Sequence, residues 1–373
     1  MLHLSIRAHI IYMNVYDVCF LFDTSSMSMR KELTYMSTLD LACLLKDQPL
    51  SRYSTYEIGG TAAFLALPQT DDDIRAVLEA AQSHGLNPVF FGMGSNLLFP
   101  DRPSRETLFI STRSHRELLM SGERIFVSAG TPMSLLALVG AEIGTEDFDF
   151  CYLLPGTLGG GIYMNAKYFE HHISDFLDTV YYVDLDDLRQ GIQSIAAEQC
   201  EFSYKHSIFQ RKNWFITGAH LKFKHYPANP DALEPFLAHM DREKTAISSL
   251  PEFYEFYAAA LDRLEARLGR TLSKMRGVID DRTGKHHFDY PSCGSVFKNN
   301  YDIGEPIGRL ADRLQLKGLQ YGNAMISPVH GNVIQNRGGA KAEEILYLIH
   351  KVQDAFSKHY GFVPEPEVVV VPS

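Results

Sequence analysis

Four glycines within six positions, Gly156, Gly159, Gly160 and Gly161, fall in the segment LLPGTLGGGIYMNA at 153–166. Backbone that bare forfeits roughly 0.5–1 kcal/mol per residue against alanine, so a fold keeps it only where the chain turns tightly or another group must approach closely. Thr157 and Asn165 add polar edges to the segment. Earlier in the chain a second loop, Gly92-Met93-Gly94-Ser95-Asn96, comes directly after an apolar run at Pro88–Phe91. Converging N–H groups in such a loop can cradle an anion, with Ser95 and Asn96 adding side-chain hydrogen bonds. It is not a dinucleotide fingerprint, because Leu97 stands where the third glycine belongs and a strand-like Leu97–Phe99 comes next instead of a helix. Each loop alone also reads as an ordinary tight turn. Two of them in one unit point to a phosphorylated cofactor.

The flanking pattern supplies the layout. An apolar run at Ala62–Leu67 is stopped by Pro68, and Thr70 is placed to cap a helix whose first turn carries Asp71 to Asp73. Ile74, Val77, Leu78 and Ala81 recur at helical spacing, and Gly85 offers the stop. Strand, helix, strand and glycine loop make an α/β beginning. Further strands are predicted at Leu108–Ser111, Ile125–Ala129, Val180–Val183 and Trp214–Phe223, and Thr131 is expected to cap a helix over Met133–Gly144. Tyr226-Pro227-Ala228-Asn229-Pro230 reads as a linker. Beyond it lie a largely helical stretch to Arg270, a small-residue loop at Pro291–Asn300, and a helix over Lys341–Tyr360 with Ile345, Leu346, Ile349, Val352 and Phe356 as its stripe. A terminal β-like run at Val368–Val371 closes the chain.

Composition bounds the possibilities. The chain has 373 residues, 45% of them hydrophobic and 21% charged, which suits two or three domain cores and excludes disorder. With 45 acidic against 35 basic residues the net charge is −10, so neither nucleic acid nor an anionic membrane is an expected partner, and no obligate protein partner is evident. The five cysteines are scattered without a CxxC pair, which fits free thiols in a reducing compartment. The fifteen histidines form no HExxH pattern, and no metal is expected. No apolar run reaches the roughly 18 residues a membrane helix needs, so a cytoplasmic location is expected. Residues 1–49 are read as a peripheral extension, with Met27 and Met29 as later starts for the translated chain.

Two segments carry candidate chemistry. In YPSCGSVFKNN (290–300), Ser295 sits among small residues close to Lys298 and Asn299, with no GxSxG elbow. Its hydroxyl is better placed to give a proton than to attack an acyl group, a turn serine being the plainer alternative. Cys293 is a rival nucleophile or a small buried residue. In the tail PEPEVVVV, Glu365 and Glu367 precede an apolar strand; burial would suit such a carboxyl to proton transfer, and an exposed strand end is the alternative.

Taken in order, these segments resemble the UDP-N-acetylenolpyruvoylglucosamine reductase family of peptidoglycan precursor synthesis. YSTYEIGGTAAFLALPQT looks like that family's NTF-IGG-A opening, GMGSNLLF like its GGGSNLL loop, and LLPGTLGGGIYMNA like its IPGSVGGAVYMNAG segment. His172-Ile173-Ser174-Asp175 resembles its EISD, CEFSYKHSIF its C-F-YR-SIF element, and YPSCGSVFKN and PEPEV come next in matching order. The resemblance implies an α+β protein. An FAD-binding fold of the vanillyl-alcohol-oxidase (PCMH) type, in two subdomains, would occupy residues 50–226. A C-terminal α+β substrate domain would occupy 227–373, with a helical insertion at 231–285.

It also implies FAD as cofactor, NADPH as hydride donor and a UDP-sugar as substrate, whose enolpyruvyl ether is reduced to UDP-N-acetylmuramate. Gly92, Met93, Gly94, Ser95 and Asn96 would hold the FAD pyrophosphate. Pro155, Gly156, Thr157, Gly159, Gly160, Asn165, Ala166 and Ile173 would lie along the rest of it. Ser295 aligns with the proton donor, Glu367 with the carboxyl that assists at the enol, and Asn299, joined by Tyr204 and Lys298, with substrate contacts.

The chain departs from the pattern at Lys205, where the family carries arginine in its YR-S element, at Ser203 for glycine, and at Lys167-Tyr168 for Gly-Ala. Lysine offers one compact charge in place of a bidentate fork. Lys205 could still stabilise an enolate, or Arg211 could reach in instead. Another FAD-dependent oxidase or dehydrogenase of the superfamily, or a flavin-binding protein without turnover, are the alternative readings.

Overall fold

The computed structural model describes residues 41–168, 170–240 and 247–373. The opening segment with Met27 and Met29 lies outside the described residues. Strands β1 (Leu44–Pro49), β2 (Thr61–Ala66), β3 (Asn87–Phe91) and β5 (Thr107–Ser111) form one sheet in the order β1-β2-β5-β3, while β4 (Leu97–Leu98) stands apart from it. β1 runs antiparallel to β2, and β2, β5 and β3 are parallel. The peripheral extension expected to reach residue 49 is therefore corrected. Lys46 pairs in register with Phe64, and Leu41 and Leu44 pack on the core formed by helix α1 (Asp71–His84). Thr70 caps α1 as its spacing predicts: its side chain accepts from Asp73 N, and the Asp73 carboxylate takes the Thr70 N–H, both at 3.1 Å. Gly85 closes the helix in the left-handed conformation.

Strands β6 (Leu118–Ser121), β7 (Arg124–Ser128), β10 (Leu177–Asp184), β11 (Ile192–Ala196) and β12 (Trp214–Lys222) make an antiparallel sheet in the order β11-β10-β12-β7-β6. A hairpin of β8 (Lys167–Tyr168) and β9 (His171–His172) stands beside it. Helix α2 (Met133–Ile143) is apolar all round, and every residue but Glu142 is buried, as a central helix demands. Thr131 does not cap it. Pro132 takes the cap position, while the Thr131 carbonyl accepts from Leu158 N at 2.9 Å and ties the helix start to the second glycine loop, where the short α3 (Leu158–Tyr163) begins.

Helices α4 (Leu233–His239), α5 (Leu250–Leu268) and α6 (Ser273–Gly284) form the expected helical block. They do not bury their faces in a second domain. Phe236, Phe253, Tyr257 and Leu261 share one core with α2 and with Ile125, Val127 and Leu221 of the antiparallel sheet, and Tyr152 Oη donates to Tyr257 O at 2.9 Å. By packing, the block belongs with the first unit. The boundary expected at residue 227 therefore moves beyond Phe288, the last member of that core. The rest of the chain folds as a small unit of α7 (Ile307–Arg313), the antiparallel β13 (Gln320–Tyr321), β14 (Ala324–Ile326) and β15 (Ile334–Asn336), helix α8 (Ala342–Tyr360) and β16 (Val369–Val370). Ile345, Leu348, Ile349, Val352 and Phe356 form the buried face of α8, with Leu346 only partly covered.

Asp149 lies behind α2 at 6% exposure, and burial, with Glu146 nearby, pushes its carboxyl from the usual 3.8 up to about 7. Between those values the native state keeps a proton that the unfolded chain releases, so stability falls as pH rises through the window. Asp149→Asn is expected to stabilise the protein by about 2 kcal/mol near pH 8 and to change it little near pH 4. Urea titrations at the two pH values check this.

Candidate active site

Parallel pairing of β16 with β4 assembles the site. Val369 N donates to Asn96 O at 2.9 Å, Val371 N to Leu98 O at 3.0 Å, and Asn96 Nδ2 to Glu367 O at 2.9 Å, laying the chain's tail against the first glycine loop. On the tail's other side Glu367 N donates to Val296 O at 2.7 Å, and Phe297 bridges Pro366. Ser295, itself bridged to Val333, is thereby fixed one residue from Glu367's partner. Segments as far as 271 residues apart in sequence meet at one cavity of about 610 Å³.

The glycines of the lining serve two purposes. Gly94 has φ +65°, and a Cβ there would stand 2.3 Å from Tyr53 O, so the loop needs it to close against its own scaffold. At Gly160 a Cβ would meet no protein atom within 4 Å, and the residue lines the cavity. That space is left for a ligand. Thr55 Oγ1 and Thr157 Oγ1, also in the lining, are buried without a hydrogen-bond partner. Each such hydroxyl costs on the order of 1–3 kcal/mol until something bonds to it. These orphans and the bare cradle fit a flat phosphorylated cofactor such as FAD. Gly160→Val is expected to leave thermal stability nearly unchanged and to weaken FAD retention roughly tenfold, from the 1–3 kcal/mol that over-filling a packed space costs. Flavin released on dilution, read by fluorescence, measures it.

Most of the expected residues line this cavity: Gly92, Met93, Gly94, Ser95, Asn96, Pro155, Gly156, Thr157, Gly159, Gly160, Ala166, Tyr204, Lys205, Ser295, Asn299 and Glu367. Four do not. Asn165 is buried beneath it, donating Nδ2 to Ser203 O at 3.0 Å and accepting from Ser174 N at 3.4 Å. Ile173 is wholly buried in the main core. Lys298 is spent on Glu365 at 2.6 Å, and Arg211 pairs with Glu201 outside the cavity. Cys293 lines the wall, but burial pushes its thiol up to about 12, so it holds no thiolate for the nucleophile's role.

Lys205 comes to the site on a tight turn, with Ser203 and His206 bridged behind it. Its φ is +56°, a conformation costing a non-glycine residue about 1–3 kcal/mol unless its surroundings enforce it. Gln210 enforces it, donating Nε2 to Lys205 O at 3.0 Å and to Tyr163 O at 2.8 Å. The result is an ion pair of Lys205 Nζ with Glu367 Oε1 at 2.5 Å, the two side chains only 18% and 12% exposed. Tyr204 Oη, on the same turn, accepts from Asn299 N at 3.4 Å, and Asn299 Oδ1 is taken by Ile307 N at the start of α7.

Sequence reasoning missed Gln210 and two cations. Arg282 and Lys285, from the end of α6, line the cavity and bring positive charge to it. His287 stands beside them, and burial together with Arg282 lowers it to about 3, so it is neutral at ordinary pH. Among the described residues no helix is long and apolar enough to cross a membrane, and no group of three or more His, Cys, Asp or Glu could hold a metal ion.

Comparison with known proteins agrees with this geometry. The family model "FAD binding domain" matches residues 62–187. The model "UDP-N-acetylenolpyruvoylglucosamine reductase, C-terminal domain" matches residues 286–371. The UDP-N-acetylenolpyruvoylglucosamine reductase of Trichormus variabilis is 30% identical over 329 residues, covering 87% of this chain and 86% of that one. That of Treponema denticola is 30% identical over 331 residues, covering 86% and 91%. The crystal structure of the Thermus caldophilus reductase superposes with a TM-score of 0.63 at 26% identity, covering 87% of this chain and 98% of that one.

Proposed function

The chain belongs to the UDP-N-acetylenolpyruvoylglucosamine reductase family, and from that premise we infer that it reduces the enolpyruvyl ether of UDP-N-acetylglucosamine to UDP-N-acetylmuramate in the cytoplasm, for peptidoglycan precursor synthesis. The observation that carries the reading is the meeting of Ser295, Glu367 and Lys205 with both glycine loops in one cavity. FAD held along Gly92–Asn96 and Pro155–Ala166 supplies the hydride chemistry, with NADPH as the source.

What the protein must add is a proton at C2 of the enolpyruvyl group and a counter-charge for the carboxylate enolate that builds there. Ser295 gives the proton, from a backbone pinned on both sides. Lys205 faces the developing negative charge from a half-buried position, where an ammonium counts for more than it would in water. Glu367 orients that ammonium and assists at the enol carbon. Tyr204 and the Nδ2 of Asn299 hold the sugar side of the substrate. Arg282 and Lys285 offset the diphosphate charge against the chain's net −10.

The test is spectroscopic. Purified protein should show flavin absorption, bleach with NADPH, and recover colour when the enolpyruvyl sugar nucleotide is added under nitrogen. A yellow protein that NADPH does not reduce, or one reoxidised by oxygen faster than by the enolpyruvyl substrate, would overturn the assignment.

A further inference from the structure

Tyr168 ends the hairpin strand β8 and lines the cavity, at a position where the resembled segment carries alanine. Its ring faces Arg282, and its hydroxyl has both Asp281 and Arg282 as partners. The Arg282 guanidinium lies over the ring, 4.6 Å from the centroid, and Tyr168 Oη donates to Asp281 Oδ2 at 2.7 Å. Asp281 Oδ1 is taken by Lys285 Nζ at 2.6 Å. The Asp281 carboxylate is thus shared by Tyr168 and Lys285. Among the described residues Arg282 has no carboxylate at ion-pair distance, and its Nε is buried with no hydrogen-bond partner. Withdrawing a guanidinium from water without a counter-ion is costly, and an incoming anion removes that cost. The planar fork suits phosphate oxygens, which it can bind two at a time.

We propose that Tyr168, Asp281 and Arg282 form a clamp for a diphosphate, in which Tyr168 is the positioning residue. Its ring is the shelf that fixes the plane of Arg282. Its bond to Asp281 joins the second glycine loop's hairpin to α6, while Lys285 is held on Asp281 independently of Tyr168. The reductase reading enters only in naming the ligand, since FAD and the UDP-sugar both carry a diphosphate.

Holoenzyme of the wild type, Tyr168→Phe, Tyr168→Ala and Arg282→Gln is titrated with UDP by flavin difference absorbance. FAD retention is read from flavin fluorescence released on dilution. Tyr168→Ala and Arg282→Gln are expected to weaken one of the two affinities roughly tenfold, while Tyr168→Phe, which keeps the shelf, stays within about threefold of wild type. Weaker UDP binding, with KM for the UDP-sugar raised and kcat kept, places the substrate's diphosphate in the clamp. Weaker FAD retention places the cofactor's there. Wild-type affinities in both variants overturn the proposal, as does a loss in Tyr168→Ala that Arg282→Gln does not share. If Tyr168→Ala fails to fold, Arg282→Gln against Tyr168→Phe decides: a loss in the first alone supports the clamp, and no loss in the first, or equal loss in both, overturns it. Neither titration requires turnover, so a failed reductase assay leaves the result readable.

Discussion

Ser295→Ala is expected to slow reoxidation of the reduced enzyme by the enolpyruvyl substrate by about 10²–10⁴-fold, while NADPH bleaches the flavin at nearly the wild-type rate. The asymmetry comes from where the hydroxyl stands. Ser295 is held by its bridge to Val333 on one side and, through Val296, by Glu367 N on the other, so its Cα cannot shift to compensate. Nothing in the hydride transfer from NADPH needs a proton from it. In the proposed mechanism the reduction of the ether does, and neither Cys293 nor Lys205 is placed to replace it: the Cys293 thiol is buried and pushed up to about 12, and Lys205 is engaged by Glu367 at 2.5 Å. Stopped-flow absorbance separates the two half-reactions. Equal slowing of both would mean that the hydroxyl shapes the pocket instead of donating the proton.

The elements that sequence pattern disclosed are those stabilised locally. The Thr70–Asp73 cap and the stop at Gly85 depend on residues within a few positions of one another. Both glycine loops were legible for the same reason. The glutamate's role was not legible from the tail alone. Val368–Val371 reads as a strand, but only the pairing of Val369 with Leu97 places Glu367 between Lys205 and Ser295. Thr131 shows how tertiary demand displaces a local signal: its backbone is committed to Leu158, and Pro132 starts the helix. Chain order assigns the helical block to a second domain, yet an apolar face such as that of Phe253, Tyr257 and Leu261 packs wherever the largest apolar partner is, here α2. Arg282 was hidden by the same misplacement. Family resemblance ordered the motifs but could not distinguish Asn165, which serves the backbone of the Lys205 turn, from residues that line the cavity.

Lys205→Met is expected to destabilise the protein by about 2–4 kcal/mol and to cut substrate reduction by about 10²-fold or more, and the two losses should separate in the double variant. The stability loss arises because Glu367, 12% exposed, loses its counter-ion in the cavity wall. Adding Glu367→Gln removes the stranded charge, so Lys205→Met/Glu367→Gln should regain most of the lost stability in urea titrations and none of the lost rate. Lys205→Arg tests the other half of the argument. Gln210 holds the backbone at residue 205 in a left-handed turn whichever side chain is present, so the arginine is delivered to the same wall. Its fork can bond Glu367 and still offer N–H groups to the enolate, whereas the lysine ammonium must divide one compact charge between them. A faster Lys205→Arg enzyme with unchanged KM would show that the shared charge limits the wild-type rate. A slower one would show instead that the pocket around Lys205 has closed to the size of the lysine.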